Sequence, residues 1–207
     1  MAERAHPDDP GFQNRWEFRL RRWVIPWLVL KKSPYRTAFF WRYSWVNQYC
    51  SGKEVLDVPC GMGWGTSLIR GTRKLIGLDL SQEAIAEASR RYGNIAQFRI
   101  GDMGKLDYPE GSFDVVSCLE GIEHVPVEVG RKFLAEAERV LRQGGLFLLS
   151  SPYCRTMPHS GNPYHIHEYQ PDEIREIVSE RFSIEDVTTR DVDNLTVLYM
   201  RCRSKTL

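Results

Sequence analysis

Two carboxylates and an imidazole crowd into Leu119-Glu120-Gly121-Ile122-Glu123-His124, directly after an apolar run that reads as a strand. A histidine there titrates near neutrality and can take a proton from a hydroxyl about to act as a nucleophile, so His124 is the expected general base. A second polar cluster, 158–169, follows the next strand and brings His159, His165, His167 and Glu168. Oxygen and imidazole groups from Glu120, Glu123, His124 and His165 are also the types that gather a divalent ion such as Mg²⁺ or Mn²⁺. The plainer reading has His124 capping the following helix and His165 and His167 bonding within a lid.

These groups need a partner to act on, and the chain supplies a place for one. Residues 54–65 form an apolar strand that ends at Asp57 and runs into Pro59-Cys60-Gly61-Met62-Gly63-Trp64-Gly65. Glycines at 61, 63 and 65 let bare backbone close on a ligand, as in strand-turn-helix nucleotide sites. The spacing is GxGxG and not the GxGxxG of dinucleotide enzymes, and a dehydrogenase would still need a second half to hold its substrate. Asp79 closes the next strand, in reach of both hydroxyls of a ribose, with Leu80 beside it. Asp102 and Met103 follow the third, where an acid and a backbone amide can read adenine. Either aspartate alone could be a loop cap; at successive strand ends they favour one adenosine-bearing ligand at the carboxyl edge of a sheet.

The elements that must hold these residues alternate in type. Strands are expected at 54–58, 74–80, 95–100, 113–119, 145–150, 182–189 and 195–202, with helices at 64–70, 82–92, 127–142 and 171–180. Phe133, Leu134, Ala137, Val140 and Leu141 share one helical face, and Gly144-Gly145 is expected to end that helix. Ser81 and Pro171 mark helix starts. The last two strands have no helix between them and should form an antiparallel hairpin at one edge.

Length and composition set the frame. A chain of 207 residues with 42% hydrophobic content builds one sizeable core and one domain. Five scattered cysteines without a CxxC pair fit reduced thiols in a cytoplasmic compartment and argue against a zinc cluster. The run from Trp23 to Leu30 is interrupted by Pro26 and falls well short of the roughly 20 residues a spanning helix needs, though it could touch a membrane surface. Between Arg15 and Arg42 eight Lys/Arg face one acid, Glu17, and residues 15–50 hold five of the six tryptophans. We read 1–14 as a tail and 15–50 as a helical cap whose aromatics plug the core while its arginines stay solvated. An exposed aromatic helix there would also suit a homodimer.

Over about 53–203 the chain resembles the class I S-adenosylmethionine-dependent methyltransferases. The resemblance rests on Asp57-x-Pro59-x-Gly61-x-Gly63-x-Gly65, Gly77-Leu78-Asp79-Leu80-Ser81, Gly101-Asp102-Met103, the Phe113 to His124 segment, and Leu141-Arg142-Gln143-Gly144-Gly145. It implies an α/β fold, a Rossmann-like, doubly wound seven-stranded mixed sheet with the last strand antiparallel. It also implies that Asp57 and Gly61 to Gly65 flank the aminocarboxypropyl arm of the cofactor, that Asp79 holds the ribose, and that Asp102 with Met103 reads adenine. The backbone at Cys118 and Leu119 would face the amino group. The family usually has glycine where this chain has Pro59, which lacks a donor, so the arm should look to the amides of Cys60 onward. Glu-x-x-Glu-His with a later His is similar to the metal site of small-RNA 2′-O-methyltransferases, which would make Glu120, Glu123, His124 and His165 ligands. The Asn162-Pro163-Tyr164-His165-x-His167-Glu168-Tyr169 run is similar to bacterial sugar and polysaccharide O-methyltransferases.

For the acceptor, an aromatic cap with polar loops fits a saccharide hydroxyl, with Trp41, Tyr43, Tyr153, Tyr164 and His167 as wall residues. No arginine-rich segment accompanies the second cluster, which counts against nucleic acid. A small aromatic hydroxyl and an RNA 2′-hydroxyl remain open, as does a binding module that holds the cofactor without turnover.

Overall fold

The structure is a computed structural model that describes residues 34–192 and 195–205. The expected tail over 1–14 and the Trp23 to Leu30 run lie outside the described residues. In chain order the elements are helix α1 (Pro34–Asn47), strands β1 (Glu54–Asp57) and β2 (Lys74–Asp79), helix α2 (Gln82–Tyr92), and strands β3 (Gln97–Ile100) and β4 (Phe113–Leu119). Helix α3 (Val127–Val140), strand β5 (Leu141–Tyr153), helix α4 (Pro171–Ser179), and strands β6 (Phe182–Val192) and β7 (Leu195–Ser204) complete the chain.

The seven strands form one sheet in the order β3-β2-β1-β4-β5-β7-β6. β1 to β5 pair in parallel, and β7 enters antiparallel between β5 and β6. Strand order reverses between β1 and β4, so the crevice at their carboxyl ends is the switch point where open α/β sheets bind ligands. β4 is buried along almost its whole length, as a central parallel strand covered on both faces must be.

Alternation along β7 builds the two faces. Leu198, Met200 and Cys202 join the core formed with α3 and α4, where Phe147 lies between Phe133 and Phe182. Val197 and Tyr199 turn to the other face, against Tyr43, Trp45 and Val46 of α1. Trp41 and Trp45 meet the Tyr199 ring at 4.6 and 5.5 Å, and the Arg190 guanidinium lies over the Trp41 ring at 3.9 Å. The aromatics of α1 do plug this face. The expectation that its arginines stay in water fails at Arg42, which is 5% exposed.

Three boundaries also depart from the expected ones. The helix anticipated over 64–70 is a single 3₁₀ turn, Thr66–Leu68, because Gly63 has left-handed φ (+75°) and Ile69 is already extended. Helix α3 stops at Val140, four residues before the glycine pair, since Leu141 turns extended to pair with Phe113. Gly144 and Gly145 instead form a bulge within β5, where a Cβ on Gly145 would meet the Asp114 carbonyl oxygen at 3.1 Å. Ser81 caps α2 by accepting from the Ala84 N–H, and Pro171 opens α4. All five cysteines are buried free thiols. Among the described residues no helix is long and apolar enough to cross a membrane.

Candidate active site

The carboxyl ends of β1 to β5 open into a cavity of ≈ 780 Å³ that the glycine loop, α1 and the segment after β5 enclose. Of the positions expected to meet a cofactor, Pro59, Cys60, Gly61, Gly65, Asp79, Leu80, Asp102, Met103 and Leu119 line it. Leu80 is 71% exposed at the rim, a large apolar surface free to lie on a flat ring.

Asp57, Gly63 and Cys118 do not line the cavity. Asp57 sits fully buried beneath the loop, where its carboxylate accepts from Thr66 Oγ1 (2.6 Å), Ser117 Oγ (2.8 Å) and Tyr43 OH (3.5 Å). Burial pushes its pKa up to about 6, against the pull of those three hydroxyls. It therefore ties β1, β4, α1 and the loop together from below. Gly63 is needed for packing: a Cβ there would lie 2.7 Å from both Ala88 and Phe98. Cys118 points away from the cavity into the core.

The loop amides are less available than the glycine spacing suggests. Pro59 has no N–H, Cys60 donates to the Leu78 carbonyl (2.9 Å), Gly61 to Asp79 Oδ2 (2.8 Å) and Gly63 to the Cys60 carbonyl (3.1 Å). Of the amides from Cys60 onward, those of Cys60, Gly61 and Gly63 are thus engaged within the fold, while Met62, Trp64 and Gly65 also line the cavity. Asp79 also accepts from the Ser81 N–H and Asp102 from the Gly104 N–H, which fixes both carboxylates at the rim.

At the far end of the cavity the polar cluster divides in two. Glu123, His124 and His165 converge, each offering a ligand atom within 4.8 Å of the others. Glu120 is not in this group; it turns back to an ion pair with the Arg42 guanidinium. His124 Nδ1 lies 2.9 Å from the Tyr164 carbonyl, which can only accept, so Nδ1 is the donor there and Nε2 is the ring nitrogen that carries the lone pair in the neutral imidazole. His165 Nδ1 meets Glu168 Oε1 at 2.5 Å, and Asn162 Nδ2 sits 3.0 Å from its Nε2. Glu168 stays ionised although buried: desolvation is outweighed by hydrogen bonds from Ser160 and His165, and its pKa falls below the usual range.

Glu123 has no such relief. Its side chain is fully buried, Ser151 Oγ lies 3.4 Å from Oε2, and Oε1 has no hydrogen-bond partner among the described residues. Burial, then the neighbouring Glu120 charge, raise its pKa well above the carboxylate range. A buried carboxyl with an open oxygen beside two imidazoles could take a divalent cation, with His124 held by its other nitrogen and Asn162 displaced from His165 Nε2. Three of the four anticipated ligands fit that role.

The expected aromatic wall is reduced to Tyr43. Trp41 is committed to Tyr199, Tyr153 packs beside the core, Tyr164 contributes its carbonyl to His124, and His167 pairs with Glu173 at 2.6 Å. In their place stand Arg42, Asn162, Pro152, Leu195 and Val197, which residue type did not single out. The one available signal was Arg42, a lone cation within Phe39-Phe40-Trp41-Arg42-Tyr43, where neighbouring bulk implies burial.

Sheet order and the crevice define a Rossmann-like α/β fold of the kind that solved methyltransferase structures share. Residues 55–145 match the family described as "Methyltransferase domain". The chain is 35% identical over 150 residues to a "Probable S-adenosylmethionine-dependent methyltransferase" of Mycolicibacterium smegmatis, covering 70% of this chain and 57% of that protein. It is also 42% identical over 103 residues to a fatty-acid O-methyltransferase of the same organism, 47% of this chain and 36% of that one. The chain spans about half the length of the curated relatives it matches. Among solved structures, the N-methyltransferase NodS of Bradyrhizobium japonicum, bound to S-adenosylhomocysteine, superposes with a TM-score of 0.70 at 18% identity, over 87% of this chain and 92% of that one.

Proposed function

We propose that the chain is an S-adenosylmethionine-dependent O-methyltransferase whose acceptor is a hydroxyl of a saccharide or glycoside. One observation carries the reading: His124, with Nδ1 given to the Tyr164 carbonyl and Nε2 left for a proton, belongs to the same cavity as the glycine loop and the Asp79 and Asp102 carboxylates. Asp79, Leu80, Asp102 and Met103 would hold the adenosine of S-adenosylmethionine, which would supply an activated methyl group.

The acceptor oxygen attacks the methyl carbon in line with the S–C bond. The new O–C bond forms as the S–C pair returns to sulfur, leaving a neutral thioether, and the hydroxyl proton passes to His124 Nε2. The methyl is already activated by the positive sulfur, so the residues chiefly supply alignment and proton removal. In a form of the site where Glu123, His124 and His165 instead hold a divalent ion such as Mg²⁺ or Mn²⁺, Nε2 would be a ligand and not the base, and the ion would supply the proton loss by lowering the pKa of a hydroxyl bound to it.

Asn162, Ser160 and Glu123 offer donors and acceptors to sugar hydroxyls, while Pro152, Leu195 and Val197 offer an apolar surface to a ring face. A fatty or lipid acceptor is the second reading, favoured by the fatty-acid O-methyltransferase among the relatives. The test is transfer of labelled methyl from S-adenosylmethionine to a panel of glycosides, phenols, fatty acids and short RNA, with and without Mg²⁺ or Mn²⁺. Label on a glycoside alone is the expected result. Label on another class replaces the acceptor, and cofactor binding without label on any class makes the chain a binding module.

A further inference from the structure

The structure assigns Glu168 the part of a positioning residue: through His165 it sets the ring nitrogen that this histidine presents beside Glu123 and His124. This rests on the reading of those three residues as the reacting end of the cavity. His165 lines the cavity, and Glu168 stands at the Nδ1 side of its ring.

Two hydrogen bonds made by different groups fix the same tautomer. Glu168 is 3% exposed, and its Oε1 lies 2.5 Å from His165 Nδ1; a carboxylate only accepts, so Nδ1 is the donor. On the other side of the ring Asn162 Nδ2 lies 3.0 Å from Nε2. Asn162 Oδ1 is turned to the Tyr164 N–H (3.0 Å), so the amide nitrogen faces the ring and donates to it. Nε2 must then be an acceptor. His165 thus enters the site as an electron-pair donor through Nε2, like His124, and the two rings lie 5.1 Å apart. A carboxylate at the far nitrogen strengthens that donation, whether to an acceptor hydroxyl or to a cation.

The charge of Glu168 is not needed to hold the 158–169 segment, which is pinned elsewhere. The N–H groups of Ile166 and His167 donate to the Glu123 carbonyl at 2.8 and 3.1 Å. His159 accepts from the Gly161 N–H at Nδ1, so its Nε2 donates to the His165 carbonyl (3.0 Å). Glu168 also receives the Ser160 N–H (2.8 Å) and hydroxyl, contacts that close the segment without touching the ring. An amide at 168 could close it too. What an amide lacks is the negative charge facing Nδ1–H, which makes that bond roughly twice as strong as a neutral one.

Nitrogen-15 NMR of the histidine rings at about pH 8, where an ordinary imidazole is neutral, reads the tautomer directly. Wild-type His165, assigned by comparison with His165→Gln, should carry its proton on Nδ1 and none on Nε2. In Glu168→Gln that proton should move upfield, while the His124 signals stay in place. Mn²⁺ binding, measured by calorimetry, should weaken about ten- to hundred-fold in Glu168→Gln and recover in part in Glu168→Asp, which keeps the charge. Ser160→Ala loosens the segment but leaves the ring alone, and should cost Mn²⁺ affinity less than about three-fold. Equal losses from Glu168→Gln and Ser160→Ala would reduce Glu168 to a loop closure and overturn the assignment. So would a wild-type proton on His165 Nε2, or a His165 spectrum that Glu168→Gln does not change. The wild-type spectrum decides alone if the variants do not fold or if Mn²⁺ does not bind. Wild-type protein that methylates no acceptor sinks the functional reading instead, with the tautomer still in evidence.

Discussion

The ring of Tyr43 fills the space that a side chain at position 65 would need: a Cβ built on Gly65 falls 2.1 Å from ring atoms Cε2 and Cζ. Helix α1 is thereby seated on the glycine loop, and Phe40 adds an edge-on contact with Trp64 at 5.3 Å. Substituting Gly65→Ala should destabilise the fold by about 1–3 kcal/mol through overpacking. For a chain of this size that is a fall in Tm of about 3–10 °C, read by calorimetry. In a Tyr43→Ala background the same change should cost much less, and strictly additive costs would show that the two residues do not share that space.

Asp57 makes stability depend on pH in an unusual direction for an acid. Burial raises its folded-state pKa to about 6 from an ordinary 3.8, so the folded chain holds this proton more tightly than the unfolded chain does. The contribution is fully present below about pH 4, declines as pH rises, and is lost above about pH 6. Over that window it amounts to about 3 kcal/mol. In urea titrations from pH 4 to 7, Asp57→Asn should gain on wild type as pH increases. Parallel curves for the two proteins would contradict this.

His124 should matter for turnover and not for cofactor affinity, because its fixed Nδ1 contact is to the Tyr164 carbonyl and its free nitrogen faces the acceptor end. His124→Ala is expected to lower methyl transfer by about 10²–10⁴-fold. Its Kd for S-adenosylhomocysteine should stay within about three-fold of wild type. Loss of both together would assign the imidazole to holding the 158–169 segment.

Glu123 tests the cation. Burial holds this carboxyl protonated well above the usual range, so an incoming divalent ion must displace a proton. Mn²⁺ affinity should therefore rise with pH, chelation should abolish turnover, and added Mn²⁺ or Mg²⁺ should restore it. Glu123→Gln, nearly the same shape, should keep the fold and lose the response to metal. Full turnover in chelator would remove the ion from the mechanism.

Much of this architecture was legible along the chain. The residues Asp57 to Gly65, Asp79 and Asp102 announce themselves because each closes an apolar run, and strand ends on one side of a parallel sheet must share a rim. The Gly144-Gly145 pair misled, since glycine marks left-handed backbone at a strand bulge as readily as at a helix end. The helix expected over 64–70 failed because apolar spacing cannot show that Asp57 draws in Thr66 from below.

What the sequence alone determined is the alternation of strands and helices and the rim they share, because backbone periodicity and missing side chains are local properties. Only the tertiary structure decided the allegiance of the charged groups: Glu120 to Arg42, and Glu123 to the histidines. Three positions apart in the chain, the two glutamates have the same chemistry, and nothing local distinguishes them. A buried charge takes whichever partner the packed elements bring within reach, and that partner came from a helix nearly eighty residues away for Glu120.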